Sequence, residues 1–254
     1  MTKLKFPADV VTLSIDIGGS GVKGALLDAH GTMISEKQRI ETPYPCPPTR
    51  LVDTVMELSA LLPGFHRVSV GFPGLIRDGR VNFIPSLSKS TLEGEVDPEL
   101  VEQWAGFHLE HALNTSFGVP VRVVNDADMQ GCAAIKGKGL EFVMTLGTGC
   151  GTALFFDGRL LPHLELGHSM FRKGQTFEEQ IGNAARREIG KERWISRVLK
   201  AIEVFDQSLF YDHIYIGGGN GRHLKDIDLA PHVTLVSNTA GILGGIKIWG
   251  PDIH

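Results

Sequence analysis

The sequence predicts a duplicated α/β fold built of two similar halves. Three observations carry that expectation. A glycine-rich segment at 14–24, SIDIGGSGVKG, has a second version at 145–152, TLGTGCGT. Each follows an apolar run and precedes another, at 25–27 and 153–156, which closes on an Asp in a turn; Gly18 to Asp28 and Gly147 to Asp157 are the same ten positions apart. After both segments, strand-like and helix-like stretches alternate, as sheets covered by helices require.

Residues 10–17 read as a strand, and 25–27 followed by Met33 and Ile34 extend it into a three-stranded antiparallel start. The proline-rich stretch 42–48 is a loop. Thr49 reads as the N-cap of a helix, with Leu51, Val52, Val55, Leu58, Leu61 and Leu62 at helical spacing until Pro63-Gly64. Residues 67–71 form a short buried strand and 78–95 a second polar loop. Asp97-Pro98 is a cap followed by proline at the first helical position, opening a helix that runs to about Phe117. Residues 121–124 form a β-branched strand and 127–135 a helix. This order fits the first half of an actin-like (ribonuclease H-like) nucleotide-binding fold. The second half repeats it: strands at 142–146 and 152–156, a long helical region at 177–209, strands at 213–216 and 233–236, and a final helix from Thr239. The expected domains are 1–118, completed by the C-terminal helix at 239–254, and 119–238.

Composition narrows the function. The chain has 254 residues, 42% of them hydrophobic, as expected of a soluble globular protein. A net charge of -4 argues against a nucleic-acid binder that relies on a basic surface. No apolar run approaches the roughly 18 residues of a membrane span, and residues 1–9 lack the apolar core of a signal peptide, so a cytoplasmic location is expected. Cys46, Cys132 and Cys150 are odd in number, widely spaced and without a C-x-x-C pair, which disfavours disulfides and a zinc cage. Cys150, within the second glycine loop, is either a small packing residue or a reactive thiol.

Glycines at such turns let backbone N–H groups surround phosphate oxygens where a side chain would block them; equally, glycine supplies the positive φ of an ordinary tight hairpin. Asp126 lies just past a buried strand, where open α/β sheets place functional groups, and a carboxylate there can take a proton from an attacking hydroxyl. The competing reading is that Asn125 or Asp126 caps the next helix.

The segments D-I-G-G-S-G-V-K-G from Asp16, V-V-N-D-A-D (123–128), L-G-T-G-C-G-T-A-L (146–154), E-L-G-H (165–168), Y-I-G-G-G-N (215–220) and N-T-A-G-I-L-G-G (238–245) resemble, in order, the motifs of the ROK sugar kinases. Within that family they are most similar to the polyphosphate or ATP glucokinases. The resemblance implies two α/β domains flanking a cleft, and transfer of a phosphoryl group from ATP or polyphosphate to the primary hydroxyl of a hexose, with glucose as the default. Asp126 would be the general base; Asn125, Glu165 and His168 would hold sugar hydroxyls, and Gly74, in the turn 71–74, would offer its backbone to the sugar. Gly18, Gly19, Ser20, Gly21 and Lys23, with Gly147, Thr148, Gly149 and Cys150, would surround phosphates, and Gly217, Gly218, Gly219 and Asn220 the adenosine. Asp16 would steer Mg²⁺ through water. Outside these motifs, His168 reads as a structural histidine, Asp16 as a turn residue, Lys23 as solvated and Gly74 as part of an ordinary Pro-Gly turn.

Two departures from the family bear on the substrate. Its cysteine-rich zinc segment is missing after His168, as in the polyphosphate glucokinase branch, so no zinc site is expected; Glu178 or Glu179 would supply a further sugar-binding carboxylate there. Ser86 stands where an Asn that touches sugar is expected, and its shorter hydroxyl offers fewer directed bonds. For the donor, Arg172, Lys173, Arg186, Arg187, Lys191, Arg193, Arg197 and Lys200 outnumber four glutamates over 172–200. That stretch either receives polyphosphate or is a solvated helix face. Family members are often dimers, which admits a homodimer. A sugar-sensing protein that does not transfer phosphate and an actin-like ATPase without a sugar acceptor are the competing functions.

Overall fold

The computed structural model describes residues 6–237 and 240–250. It divides into two compact units: one holds the described residues up to Ala133 together with those from Gly241 on, and the other extends from Ala134 to Ala240.

The first unit contains β1 (Thr12–Gly18), β2 (Gly21–Leu27), β3 (Gln38–Ile40), α1 (Pro48–Ala60), β4 (Arg67–Phe72), β5 (Leu75–Arg77), β6 (Arg80–Phe83), α2 (Pro98–Trp104), α3 (Leu109–Phe117), β7 (Val121–Asn125) and α4 (Asp126–Ala134). Its sheet has the order β3-β2-β1-β4-β7. β1 and β2 pair antiparallel, as do β2 and β3, whereas β1-β4 and β4-β7 are parallel. Leu13, Ile15 and Ile17 of β1 join Leu51, Val55 and Leu58 of α1 in the core. All six residues of β4 are buried, as expected of a central strand covered on both faces.

The second unit contains β8 (Leu140–Leu146), β9 (Cys150–Phe156), β10 (Arg159–Leu160), β11 (Met170–Arg172), β12 (Gln175–Thr176), α5 (Phe177–Ile181), α6 (Asn183–Ile189), α7 (Lys191–Leu209), β13 (His213–Gly217) and β14 (Val233–Leu235). Its sheet has the order β10-β9-β8-β13-β14, antiparallel across the first two pairings and parallel across the last two. The topology of the first sheet is thus repeated strand for strand.

Several elements differ from expectation. The third strand is β3, not 33–34: Met33 makes only an isolated bridge to Leu27. Thr49 does not cap α1, which starts at Pro48 with Pro47 at the N-cap and no side-chain bond; proline suits a first turn whose N–H would lack a partner anyway. The polar loop 78–95 begins with the β5-β6 hairpin, turned by Asp78 and Gly79 at φ 49° and 71°, the two positive angles of a type I′ turn. The helix expected from Asp97 is two, parted at Gly106 (φ 71°), where Val81 exchanges backbone bonds with Gly106 and Phe107. Asp97 itself caps as expected, accepting from the Glu99 N–H at 2.9 Å. The helical region 177–209 is three helices, with Gly182 and Gly190 at the junctions. A boundary after residue 118 would cut β7 from β4; the parallel β4-β7 pairing keeps β7, and with it Asn125 and Asp126, in the first unit.

Asn238 and Thr239 lie outside the described residues. Beyond them α8 (Ala240–Leu243) and a 3₁₀ turn, Gly244–Trp249, belong to the first unit. Ser14 Oγ donates to the Ile242 carbonyl at 2.6 Å, and Ser69 Oγ to that of Gly245 at 2.6 Å. A Cβ at Gly244 would overlap the Met129 carbonyl oxygen, so only glycine lets this segment reach α4.

Candidate active site

In the first unit three parallel strands end side by side. Asp16 of β1 is in register with Gly71 of β4, and Phe72 with Asn125 of β7. This is the edge at which open α/β sheets bind ligands. Asp126 follows as the first residue of α4 and is half-buried. The helix-capping alternative is met largely by its neighbour: Asn125 Oδ1 accepts from the Ala127 N–H at 2.8 Å, a donor that Asp126 Oδ1 shares at 2.8 Å. Asn125 Nδ2 donates to the Gly74 carbonyl at 3.1 Å, and a Cβ at Gly74 would overlap the Phe83 carbonyl oxygen. Ser86 Oγ donates to Pro73 O at 3.2 Å. Asn125, Gly74 and Ser86 are thereby brought together.

The turn from Gly18 to Gly21 is held through its carbonyl oxygens. Thr42 Oγ1 donates to Gly18 O at 2.6 Å, Tyr44 OH to Gly19 O at 2.8 Å, and Arg39 Nη2 to Ser20 O at 2.7 Å. Tyr44 divides its one proton between Gly19 O and Ser86 O, the latter at 3.0 Å, and so joins the glycine turn to the Ser86 loop. Burial, and secondarily Cys46, push the Tyr44 pKa up to about 12, so it remains a neutral donor. Successive carbonyls of the turn are thus committed to the protein. Sequence reasoning missed Arg39, Thr42 and Tyr44, because they act on backbone atoms about 20 positions away and leave no periodic signal.

Asp16 faces Lys23 across the β1-β2 ladder, with Lys23 Nζ 3.6 Å from Asp16 Oδ2 and both side chains partly exposed. Among the described residues no three His, Cys, Asp or Glu side chains gather to hold a metal. A lone carboxylate still suits Mg²⁺, which keeps several waters and takes its other ligands from substrate phosphates.

The second unit assembles the remaining residues. Its turn 147–149 joins β8 to β9. Gly147 O accepts from Asn220 Nδ2 at 3.1 Å, Thr148 O from the Asn183 N–H at 3.1 Å, and Gly149 O from the Gly147 N–H at 3.1 Å. Gly217 ends β13 and Gly218 follows at φ 80°. None of Gly18, Gly19, Gly21, Gly147 and Gly149 has a positive φ, so tight-turn geometry does not explain them. A Cβ would meet nothing within 4 Å at Gly147 or Gly219, so nothing in the chain's own packing requires glycine there. Cys150, expected in the loop, is the first residue of β9 and fully buried; burial drives its thiol pKa far above the usual range, which argues against a reactive thiolate.

Glu165 precedes a 3₁₀ turn, Leu166–His168, clipped onto β9: Thr152 Oγ1 donates to Leu164 O at 2.8 Å and accepts from the Leu166 N–H at 3.2 Å. Glu165 Oε1 lies 3.4 Å from His163 Nε2, and His168 Nε2 lies 3.5 Å from Glu178 Oε2. The hydrogen bond to Glu178 raises the His168 pKa above 6.5 against the opposing effect of burial, with further support from the charges of Glu178 and Glu165. Between the two expected carboxylates, Glu178 is the one beside His168. Glu179 is held in a capping box with Thr176.

The ROK family model matches residues 12–187. The chain is 28% identical over 246 residues to the polyphosphate glucokinase of Mycobacterium tuberculosis, covering 91% of this chain and 88% of that one. Among solved structures, the inorganic polyphosphate/ATP-glucomannokinase from Arthrobacter sp. strain KM is 28% identical, with a TM-score of 0.80 over 96% of this chain and 98% of that one. A ROK family glucokinase from Streptomyces griseus shares the fold at 17% identity, with a TM-score of 0.71 over 94% of this chain and 98% of that one.

Proposed function

The chain belongs to the ROK family, and from that premise we propose that it is a hexose kinase, transferring a phosphoryl group from ATP or polyphosphate to the primary hydroxyl of a sugar, glucose by default. The observation that carries this reading is the shared strand edge of the first unit, where the glycine turn after Asp16, the Gly74 loop and Asn125-Asp126 lie at the ends of adjacent parallel strands. Asp126 accepts the proton of the attacking hydroxyl. Asn125 has one amide hydrogen on Gly74 O and a second for a sugar hydroxyl. Ser86 takes another hydroxyl, directly or through water. Glu165, Glu178 and His168 supply acceptors and a donor for the remaining hydroxyls.

The turns 18–21 and 147–149 surround phosphate oxygens, the amide of Gly147 being already donated to Gly149 O, and 217–220 lies against adenosine when ATP is the donor. Asp16 would hold Mg²⁺ through water, and the metal would neutralise phosphate charge. Among the described residues no helix is long and apolar enough to cross a membrane, and we assign the enzyme to the cytoplasm, as a homodimer without a nucleic-acid partner.

The test measures ATP consumption with and without a panel of hexoses, and in parallel with polyphosphate as donor. Hexose-dependent turnover supports the proposal. Turnover indifferent to sugar, or sugar binding without turnover, overturns it.

A further inference from the structure

The eight cations between Arg172 and Lys200 do not act as one patch. Four of them, Arg172, Arg193, Arg197 and Lys200, line a single concavity of about 350 Å³ with Phe171 and Ser196, and no carboxylate lines it. On α7, Arg193, Arg197 and Lys200 recur at i, i+4 and i+7, which puts them on one face. The other face buries Trp194, Ile195, Val198, Ala201, Ile202 and Phe205, so the helix cannot rotate its cations away. Arg172 is set against them by an aromatic stack: Phe171 lies on Phe177 at 4.5 Å and Phe177 on Phe205 of α7 at 4.2 Å. The neighbouring acid is Glu203, 2.9 Å from Lys200.

We propose that this concavity is a binding site for inorganic polyphosphate, gripping a part of the chain other than the phosphate being transferred. Seven residues of helix separate Arg193 from Lys200, about 10 Å along the axis, too long for one phosphate group but suited to several in a row. Four positive charges converge there in a chain whose net charge is -4, so the site concentrates charge locally instead of following a basic surface. The assignment rests on the donor proposed above. It adds a second hold on that donor.

The experiment compares the unaltered enzyme with R193Q/R197Q and with K225Q, an exposed lysine elsewhere in the same unit. Long-chain polyphosphate, tripolyphosphate and ATP serve as donors, and binding of the long chain is titrated against salt. For R193Q/R197Q the KM for the long chain rises about tenfold and the slope of log affinity against log salt falls by about two. Its ATP and tripolyphosphate kinetics, and all those of K225Q, stay unchanged. Unaltered long-chain binding in R193Q/R197Q overturns the site. So does equal loss with all three donors, or a single-stranded nucleic acid of matched charge that binds as tightly. Absence of ATP-driven hexose phosphorylation in the unaltered enzyme would instead defeat the kinase reading, leaving the binding titration to judge this site alone.

Discussion

In the first unit the turn between β1 and β2 is gripped from outside by three side chains, those of Thr42, Tyr44 and Arg39, one on each successive carbonyl. In the second, the equivalent carbonyls of the turn between β8 and β9 are taken by one side chain, Asn220, and by two backbone N–H groups, those of Asn183 and Gly147. One topology thus reaches one end, the turn carbonyls committed, by different donors. Side-chain donors can be altered one at a time, whereas backbone donors are inseparable from the path of the chain. The units also differ at the strand end that carries Asp126. The strand equivalent to β7 is β14, and the two residues after it are Val236 and Ser237, with no acid. The duplicated fold therefore carries the proposed proton acceptor once.

The largest test of that asymmetry is Asp126→Ala, which lowers kcat with ATP and glucose by about 10²–10⁴-fold while sugar affinity, read by calorimetry, stays close to that of the parent. Full turnover would mean that the acceptor lies elsewhere. Next comes the opposite end of each sheet, where the first unit buries a cation and the second an anion. Arg67 is held there by Thr12 Oγ1 at 2.8 Å, whereas Glu141 accepts from the amides of Lys136, Gly137 and Lys138 and from Tyr215 OH, at 2.7, 2.7, 3.1 and 2.8 Å. Glu141→Ala leaves those donors without an acceptor and lowers unfolding free energy by about 3 kcal/mol, seen in urea titration. A loss below 1 kcal/mol would show that water replaces the carboxylate.

Tyr44→Phe sharpens the comparison of the turns. It frees both Gly19 O and Ser86 O and lowers kcat/KM for ATP by roughly 5–10-fold, against less for Asn220→Ala, which frees one carbonyl. Equal effects would mean that the two turns are held equally well. Gly147→Ala separates packing from ligand approach: its Cβ meets nothing within 4 Å, so the Tm is unchanged while the donor KM rises. An unchanged KM would remove Gly147 from the phosphate site.

The smallest effect is in pH. Glu178 holds the His168 pKa above 6.5, so the folded protein binds that proton more tightly than the unfolded chain. The resulting stabilisation is complete below pH 6.5 and is lost as pH rises through the folded pKa. NMR titration of the His168 ring should give a raised pKa that falls in Glu178→Gln. An identical titration in the variant would assign the shift to Glu165 or to another neighbour.

The glycine hairpins and the ends of β7 and β13 are legible in the sequence because they depend on local spacing and on apolar runs, whereas the pairing of strands within each sheet is not, because it is set by contacts distant in sequence. The β5-β6 hairpin was also within reach, since Asp-Gly is a strong hairpin signal, but its exposed residues break the apolar pattern. Helix junctions at Gly106, Gly182 and Gly190 hide because a single glycine is tolerated within helical periodicity. Thr42, Tyr44 and Asn183 stay hidden for another reason: their partners are carbonyl oxygens, which every residue has, so no residue type marks the pairing. Glu178 parts from Glu179 only when the Thr176 capping box is formed.

The docking of the final segment on Ser14 and Ser69 sets an order of assembly during synthesis. The partners of those serines come 228 and 176 positions later in the chain, so the first half emerges from the ribosome with a face of its sheet uncovered. The second sheet, continuous in sequence from Leu140 to Leu235, is complete before Ile242 and Gly245 emerge. The portion made first is therefore finished last, and until then its exposed strands are the part of the nascent protein most in need of a chaperone.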